Sequence, residues 1–282
     1  MQILTAISSP ILTYRVAKEL GLDILPAERK KFPDGEIYIR LLEKPDREVV
    51  LVQNTYPNEG LVAAIIAMQA LKSEGAEDIT LVVPYFGYGR QDRKFLDGEP
   101  VSAEAIAKVL SKYADHVVLV DPHKDYIADF FDVETKVVHA YDALIEMLYR
   151  ADVDIVLAPD AGALDRAKAV AKALGVDWDY LEKTRISGEE VEIKPKEIEV
   201  EDKNVALVDD IISTGGTLIE ASRALKSQGA KSVVAACVHG LFTKFAIHKI
   251  LESPIDDVGV TDTIEGPLSV ASVSSTIARA LR

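Results

Sequence analysis

The sequence predicts an α/β protein built from two tandem, duplicated domains, each a mostly parallel sheet flanked by helices. Three observations point there. Short apolar, β-branched runs recur along the chain between segments of helical character: VVLV (49–52), ITLVV (79–83), VVLV (117–120), IVL (155–157), VALV (205–208) and VVAACV (233–238). Runs of that length read as strands buried on both faces of a parallel sheet. The segment LVQNTYPNEGLVAAIIAMQALKSEGA (51–76) also lines up with LVDDIISTGGTLIEASRALKSQGA (207–230) once two residues are inserted in the first copy. Finally, 282 residues with 48% hydrophobic content suffice for two buried cores of ordinary size.

Taken in order, each repeat copy reads as strand, loop and helix, with Gly75 or Gly229 where the helix should stop. Ser102 is the expected N-cap of a helix whose Ile106, Val109, Leu110 and Tyr113 recur at helical spacing. A domain boundary near residue 140 gives domains of residues 1–140 and 141–282. Within the second, the polar stretch 183–203 is an excursion whose alternation EEVEIKPKEIEVE (189–201) suits a solvated β-hairpin.

Composition removes several function classes. With 32 basic against 46 acidic residues the formal charge is −14, which argues against non-specific nucleic-acid binding, because that affinity comes from basic side chains neutralising phosphates. An acidic protein that handles phosphates needs a divalent cation, or a local concentration of Lys and Arg, to offset repulsion. The longest apolar stretch, 61–71, is interrupted by Gln69 and is far short of the ~20 residues of a membrane span. The start, MQILTAISSPIL, has no basic n-region ahead of an apolar core, so the expected location is the cytoplasm. The single cysteine, Cys237, lies in an apolar run and reads as a small core residue.

The strongest chemical signal is VALVDDIISTGGTL (205–218). An apolar strand ends in two carboxylates, Asp209 and Asp210, and a Ser/Thr/Gly turn then opens a helix. Backbone N–H groups at such a helix start, with the hydroxyls of Ser213, Thr214 and Thr217, form an anion cradle, and Gly215 and Gly216 let the backbone approach closely. Carboxylates beside it can accept hydrogen bonds from sugar hydroxyls, so the segment reads as a sugar-phosphate site. The first copy has neither the Asp-Asp pair nor the Gly-rich turn; its site lost these ligands or never had them.

This segment resembles the phosphoribosyl-diphosphate loop shared by type I phosphoribosyltransferases and ribose-phosphate diphosphokinases. The N-terminal half separates the two. KFPDGEIYIR (31–40) resembles the diphosphokinase loop that contacts ATP, which implies roles for Phe32, Asp34, Gly35 and Glu36. YFGYGRQDRKF (85–95) resembles that family's nucleotide segment, which implies Arg90, Gln91, Asp92 and Arg93. Taken alone, Pro-Asp-Gly is ordinary turn chemistry. Their order together with the Asp-Asp loop makes both segments specific.

VDPHKDYIADFFD (120–132) is similar to a family pattern of Asp-Leu-His, a Gln further on, and Gly-Phe-Phe. Asp121, His123, Phe130 and Phe131 match, whereas Pro122, Tyr126 and Asp129 replace the Leu, Gln and Gly. The resemblance implies that His123 serves a metal, Mg²⁺, together with Asp160 of APDAG (158–162). On local chemistry Asp160 reads equally as the cap of the helix beginning near Ala163. EKTRISG (182–188) resembles the flexible catalytic loop, which implies that Lys183 and Arg185 neutralise the transferring diphosphoryl group and that Arg185 also touches ribose 5-phosphate. The implied fold is a pair of phosphoribosyltransferase-like domains. The implied partners are ATP, ribose 5-phosphate and further copies of the chain, with the nucleotide site near a subunit interface, and no nucleic acid or membrane. The final helix, about 270–281, is expected to return to the first domain.

Overall fold

The computed structural model describes residues 1–185, 191–194 and 198–282, with backbone alone for 182–185 and 191–194. The chain divides into two compact units, one formed by 1–139, 263–265 and 273–282, the other by 140–262 and 266–272.

The first unit is built on β1 (Gln2–Thr5), β2 (Asp23–Ile24), β5 (Glu48–Val52), β6 (Asp78–Val83), β7 (His116–Val120) and β8 (Glu134–Val138), with an antiparallel hairpin of β3 (Ala27–Lys31) and β4 (Ile37–Leu41) inserted after β2. The six strands are parallel and ordered β2-β1-β5-β6-β7-β8. Helices α1 (Pro10–Leu20), α2 (Asn58–Ser73) and α3 (Ser102–Leu110) make the crossovers that parallel pairing requires. The central strands are buried on both faces, and Leu4, Leu51, Leu81 and Leu119 are fully enclosed. Truncating one such Leu to Ala costs about 2–5 kcal/mol.

The second unit repeats this plan. Strands β9 (Ile155–Ala158), β10 (Asp177–Tyr180), β13 (Asn204–Ile212), β14 (Ser232–Gly240), β15 (Asp257–Thr261) and β16 (Ser269–Ala271) form a parallel sheet ordered β10-β9-β13-β14-β15-β16. An antiparallel pair, β11 (Glu182–Arg185) and β12 (Val191–Lys194), is again inserted after the second strand. Helices α4 (Tyr141–Leu148), α5 (Leu164–Leu174), α6 (Gly216–Ser227) and α7 (Ala246–Leu251) complete it, and α8 (Ser274–Ala280) packs on α1 of the first unit. With its hairpin set aside, each sheet reads second-first-third-fourth-fifth-sixth. That shared topology is what duplication of one unit produces.

Both repeat helices end alike. Gly75 and Gly229 adopt φ of 101° and 87°, and the N–H groups of Ala76 and Ala230 reach back to the carbonyls of Leu71 and Leu225 at 3.0 and 3.1 Å. A positive φ at the residue after a helix is where Gly is favoured.

Three expectations need correction. Ser102 is the first residue of α3 rather than its N-cap, because its hydroxyl is spent on the side chain of Gln91. The last helix starts at Ser274, since 269–271 are taken by β16. The hairpin of the polar excursion pairs Glu182–Arg185 with Val191–Lys194, so the segment read as a catalytic loop begins as strand; its remainder, 186–188, and residues 189–190 and 195–197 of the alternating run lie outside the described residues.

Candidate active site

In open parallel sheets ligands settle beyond the carboxyl ends of strands, where the strand order reverses. In the second unit that point falls between β9 and β13. Asp160 lies two residues beyond β9, Asp209 and Asp210 lie near the end of β13, and the turn 213–215 leads into α6. Asp160, Asp209, Asp210 and residues 213–217 therefore follow or end neighbouring strands on the carboxyl side of one sheet, while the side chain of Arg185 lies outside those described. The parallel register Leu207↔Leu157 sets Asp209 and Asp210 two and three residues further along β13 than the last matched pair.

The local geometry is that of an anion cradle. Gly215, φ 78°, turns the chain into α6, and its carbonyl receives the N–H of Ile219 at 3.0 Å. A Cβ on Gly215 would sit 3.1 Å from two carbons of Ile250, so the position disfavours a side chain by its angle and crowds one in space. The first turn of α6, from Gly216, presents N–H groups that an α-helix itself does not use. Ser213 is fixed by a 3.3 Å contact between its hydroxyl and that of Thr243, while Thr214 is exposed and Thr217 half-buried.

The two carboxylates differ. Oδ1 of Asp209 accepts the N–H of Asp210 at 2.9 Å. Burial, and then the charge of Asp210, push the Asp209 pKa well above the carboxylate range, while Arg166 acts in the opposite direction. Arg166, whose charge reaches this pair, was not singled out from the sequence. It occupies the first turn of α5, where a cation opposes the helix dipole, and that local conflict is the signal that was available. Asp160 serves as a cap: its Oδ1 accepts the N–H of Gly162 at 2.8 Å.

The first unit has its own reversal point, between β1 and β5, and it is filled. Gln53 and Asn54 stand where the second copy has Asp209 and Asp210. Gln53 Oε1 accepts the N–H groups of Ile7 and Ser8 at 2.9 and 3.2 Å. Asn54 donates to the Thr263 carbonyl at 2.9 Å and accepts the Tyr85 N–H at 2.7 Å. Helix α2 also begins one turn earlier than α6 relative to their common ends at Ser73 and Ser227, replacing the cradle with helix. Here the first copy's crevice has become a structural joint.

The predicted nucleotide residues lie beyond β6 and on the β3–β4 hairpin. Arg90 and Arg93 are exposed, Gln91 is half-buried and Asp92 is buried. Gly89 packs against His123, since a Cβ there would lie 3.6 Å from that of His123. Phe32, Asp34, Gly35 and Glu36 are exposed and close the hairpin as a tight turn: the Gly35 N–H donates to the Phe32 carbonyl at 2.9 Å, and Asp34 Oδ1 accepts the Glu36 N–H at 3.1 Å. Arg29 ties this hairpin to the end of β1 through the Thr5 and Ala6 carbonyls. His139 lies in this region too, its Nδ1 3.1 Å from buried Asp121 and its Nε2 3.5 Å from Asp125. His123 and Asp160 belong to separate units, and among the described residues no three His, Cys, Asp or Glu side chains form a metal cage. The side chains of Lys183 and Arg185 lie outside those described; their backbone forms β11.

Comparison with known proteins decides the family. Residues 1–113 match the N-terminal domain of ribose phosphate pyrophosphokinase, and 131–273 match a phosphoribosyl transferase domain. The chain is 45% identical over 278 residues to ribose-phosphate pyrophosphokinase 2 of Archaeoglobus fulgidus, covering 99% of both chains. It belongs to the ribose-phosphate pyrophosphokinase family. It is 42% identical to the ribose-phosphate pyrophosphokinase of Methanopyrus kandleri, over 95% of this chain and 94% of that one. The crystal structure of phosphoribosylpyrophosphate synthetase from Mycobacterium smegmatis superposes with a TM-score of 0.87 at 31% identity, over 100% and 97% of the two chains. The chain thus carries two phosphoribosyltransferase-like units.

Proposed function

We propose that the protein transfers the β,γ-diphosphoryl group of ATP to the anomeric hydroxyl of ribose 5-phosphate, giving 5-phosphoribosyl 1-diphosphate and AMP. The observation that carries this reading is the cradle 213–217 with Asp209 and Asp210 at the strand-order reversal of the second unit, in a chain whose first unit keeps the nucleotide segments 32–36 and 90–93. A transferase that consumes the diphosphate needs one such unit, not two.

The 5-phosphate takes the N–H groups of the α6 start and the hydroxyls of Ser213, Thr214 and Thr217. Asp209 and Asp210 accept from the ring hydroxyls. The nucleotide takes Phe32, Asp34, Gly35 and Glu36 together with Arg90, Gln91, Asp92 and Arg93. The anomeric oxygen forms its bond to the β-phosphorus as the bridge from the α-phosphorus breaks; the bridging oxygen leaves on AMP and the hydroxyl proton goes to solvent. Lys183 and Arg185 neutralise the transferring group. Positioning and electrostatics supply most of such catalysis.

Mg²⁺ fits this donor set, because it prefers oxygen, keeps several waters and needs only one or two carboxylates besides substrate phosphates. Of the two residues that the resemblance implies, Asp160 would offer a carboxylate and His123 an imidazole, and a bound ion would offset phosphate charge. Self-association, with the nucleotide site near a subunit interface, and a cytoplasmic location complete the reading. Among the described residues no helix is long and apolar enough to cross a membrane.

The test is AMP formation from Mg-ATP with and without ribose 5-phosphate, with ³¹P NMR of the product. AMP that appears only with the sugar, beside a new diphosphate ester, supports the reading. Activity with phosphoribosyl diphosphate and a base, without ATP, overturns it.

A further inference from the structure

Within the first unit, the segments that follow β6 and β7 are clasped together. On the apolar side Ile127 is fully buried, the Phe86 and Phe131 ring centroids stand 5.8 Å apart, and a Cβ on Gly89 would lie 3.5 Å from Cδ1 of Ile127. On the polar side the hydroxyl of Tyr126 donates to Oδ2 of Asp92 at 2.5 Å. Asp92 is 7% exposed, although Arg90 and Arg93 beside it face solvent. A carboxylate so enclosed needs a donor, and a hydrogen bond to a charged acceptor is a strong one. The ring of Tyr126 stands edge-on to Phe130, centroids 6.0 Å apart, which restrains the hydroxyl. Asp92 in turn holds the phenol proton and raises the Tyr126 pKa.

Tyr126 occupies the place where the family pattern has Gln, and the shorter amide does not reach as far from the backbone. The replacement is therefore an alternative fastening rather than a loss. We propose that Tyr126 is a positioning residue for the nucleotide segment: by holding Asp92 it fixes the turn 89–93, and with it the directions of Arg90 and Arg93, before ATP binds. Ordering done in advance is not charged against binding, so the benefit falls on nucleotide affinity. This inference rests on the reading that 90–93 serve ATP.

The experiment compares wild type with Tyr126→Phe, which keeps the ring and its contact with Phe130 and removes only the hydroxyl. KM for ATP should rise roughly 5- to 20-fold, the worth of one charge-assisted hydrogen bond. Turnover and KM for ribose 5-phosphate should stay within about twofold, a split that a general loosening of the fold would not give. Adding Asp92→Asn to Tyr126→Phe should cost less than the sum of the two single changes, because both cut the same bond. An unchanged KM for ATP, or equal losses toward both substrates, overturns the proposal. Direct titration with Mg-ATP separates it from the activity: if wild type makes no AMP, weaker nucleotide binding by Tyr126→Phe still supports the clasp, and equal binding, or no binding by wild type, sinks it.

Discussion

The backbone N–H of Asp210 donates to Oδ1 of Asp209 at 2.9 Å, so the second carboxylate's own peptide holds the first. That bond favours the charged Asp209, but burial and the neighbouring charge outweigh it and the pKa is raised. The sign for stability follows from linkage. A carboxyl with its folded pKa above the unfolded value, about 4, contributes stability that is fully present below that pH and is lost as pH rises through the folded pKa. Asp209→Asn should therefore raise the melting temperature of the ligand-free protein at neutral pH, with the gap to wild type closing toward pH ~4. The same change should lower AMP formation at limiting ribose 5-phosphate by about 10- to 100-fold, as one charged hydrogen bond is lost. Melts across a pH series and kinetics in the sugar phosphate check the two halves separately. A gap that persists unchanged into acid would show that Asp209 is not under this stress.

Gly215 offers a geometric test of the cradle. At φ 78°, with Ile250 carbons 3.1 Å from where a Cβ would be, Ala suffers both a left-handed backbone and a tight contact. Gly215→Ala should cost about 1–3 kcal/mol of stability and raise KM for ribose 5-phosphate. Gly216→Ala is the control, since a Cβ there meets nothing closer than Thr214 Oγ1 at 3.8 Å. Equal effects of the two substitutions in denaturant titrations would remove the conformational argument.

What was legible in the sequence was whatever the chain writes locally. Strands β5, β6, β7, β9, β13 and β14 are apolar and enclosed on both faces, so their composition announces them. By contrast β3, AERKK, is half-buried to exposed, and β10, DWDY, runs along a sheet edge; each owes its existence to a neighbour's hydrogen bonds rather than to its own residues. The Asp-Asp turn was legible because strand, carboxylates, glycines and helix start are contiguous. Arg166 and His139 were not, because each acts on a carboxylate that only the folded sheet brings near, Asp209 for one and Asp121 for the other. The paired reversal points were invisible too, since strand order is a property of the sheet.

Cys237 sits in register with Asp209 across β13 and β14 and is fully buried. Burial first, and then the charge of Asp209, push its thiol pKa well up. Thiolate is the reactive form, so the native protein should resist an aromatic disulfide reagent at neutral pH and react promptly once unfolded in guanidinium. The labelling rate then reports opening of β13 and β14. Fast labelling of folded protein would show that the centre of this sheet breathes, and slower labelling with ribose 5-phosphate bound would tie the opening to the site.

Asn54 carries the sharpest test of the idea that the first unit's crevice is a joint rather than a dormant site. It is 3% exposed, its amide nitrogen donates to the Thr263 carbonyl at 2.9 Å, and its oxygen accepts the Tyr85 N–H at 2.7 Å. The donor half joins β5 to the returning segment 263–265, and the acceptor half joins it to the start of the nucleotide segment. Asn54→Asp puts back the residue type found in the second copy, yet it turns a donor into a charged oxygen facing a carbonyl. The cost should be about 2–4 kcal/mol, more than the ~1–3 kcal/mol for Asn54→Ala, because the alanine leaves unmet groups whereas the aspartate adds repulsion and a buried charge. Neither variant should gain a second equivalent of ribose 5-phosphate in a calorimetric titration. If Asn54→Asp were as stable as wild type and bound that second equivalent, the crevice would be a site held shut by a single side chain.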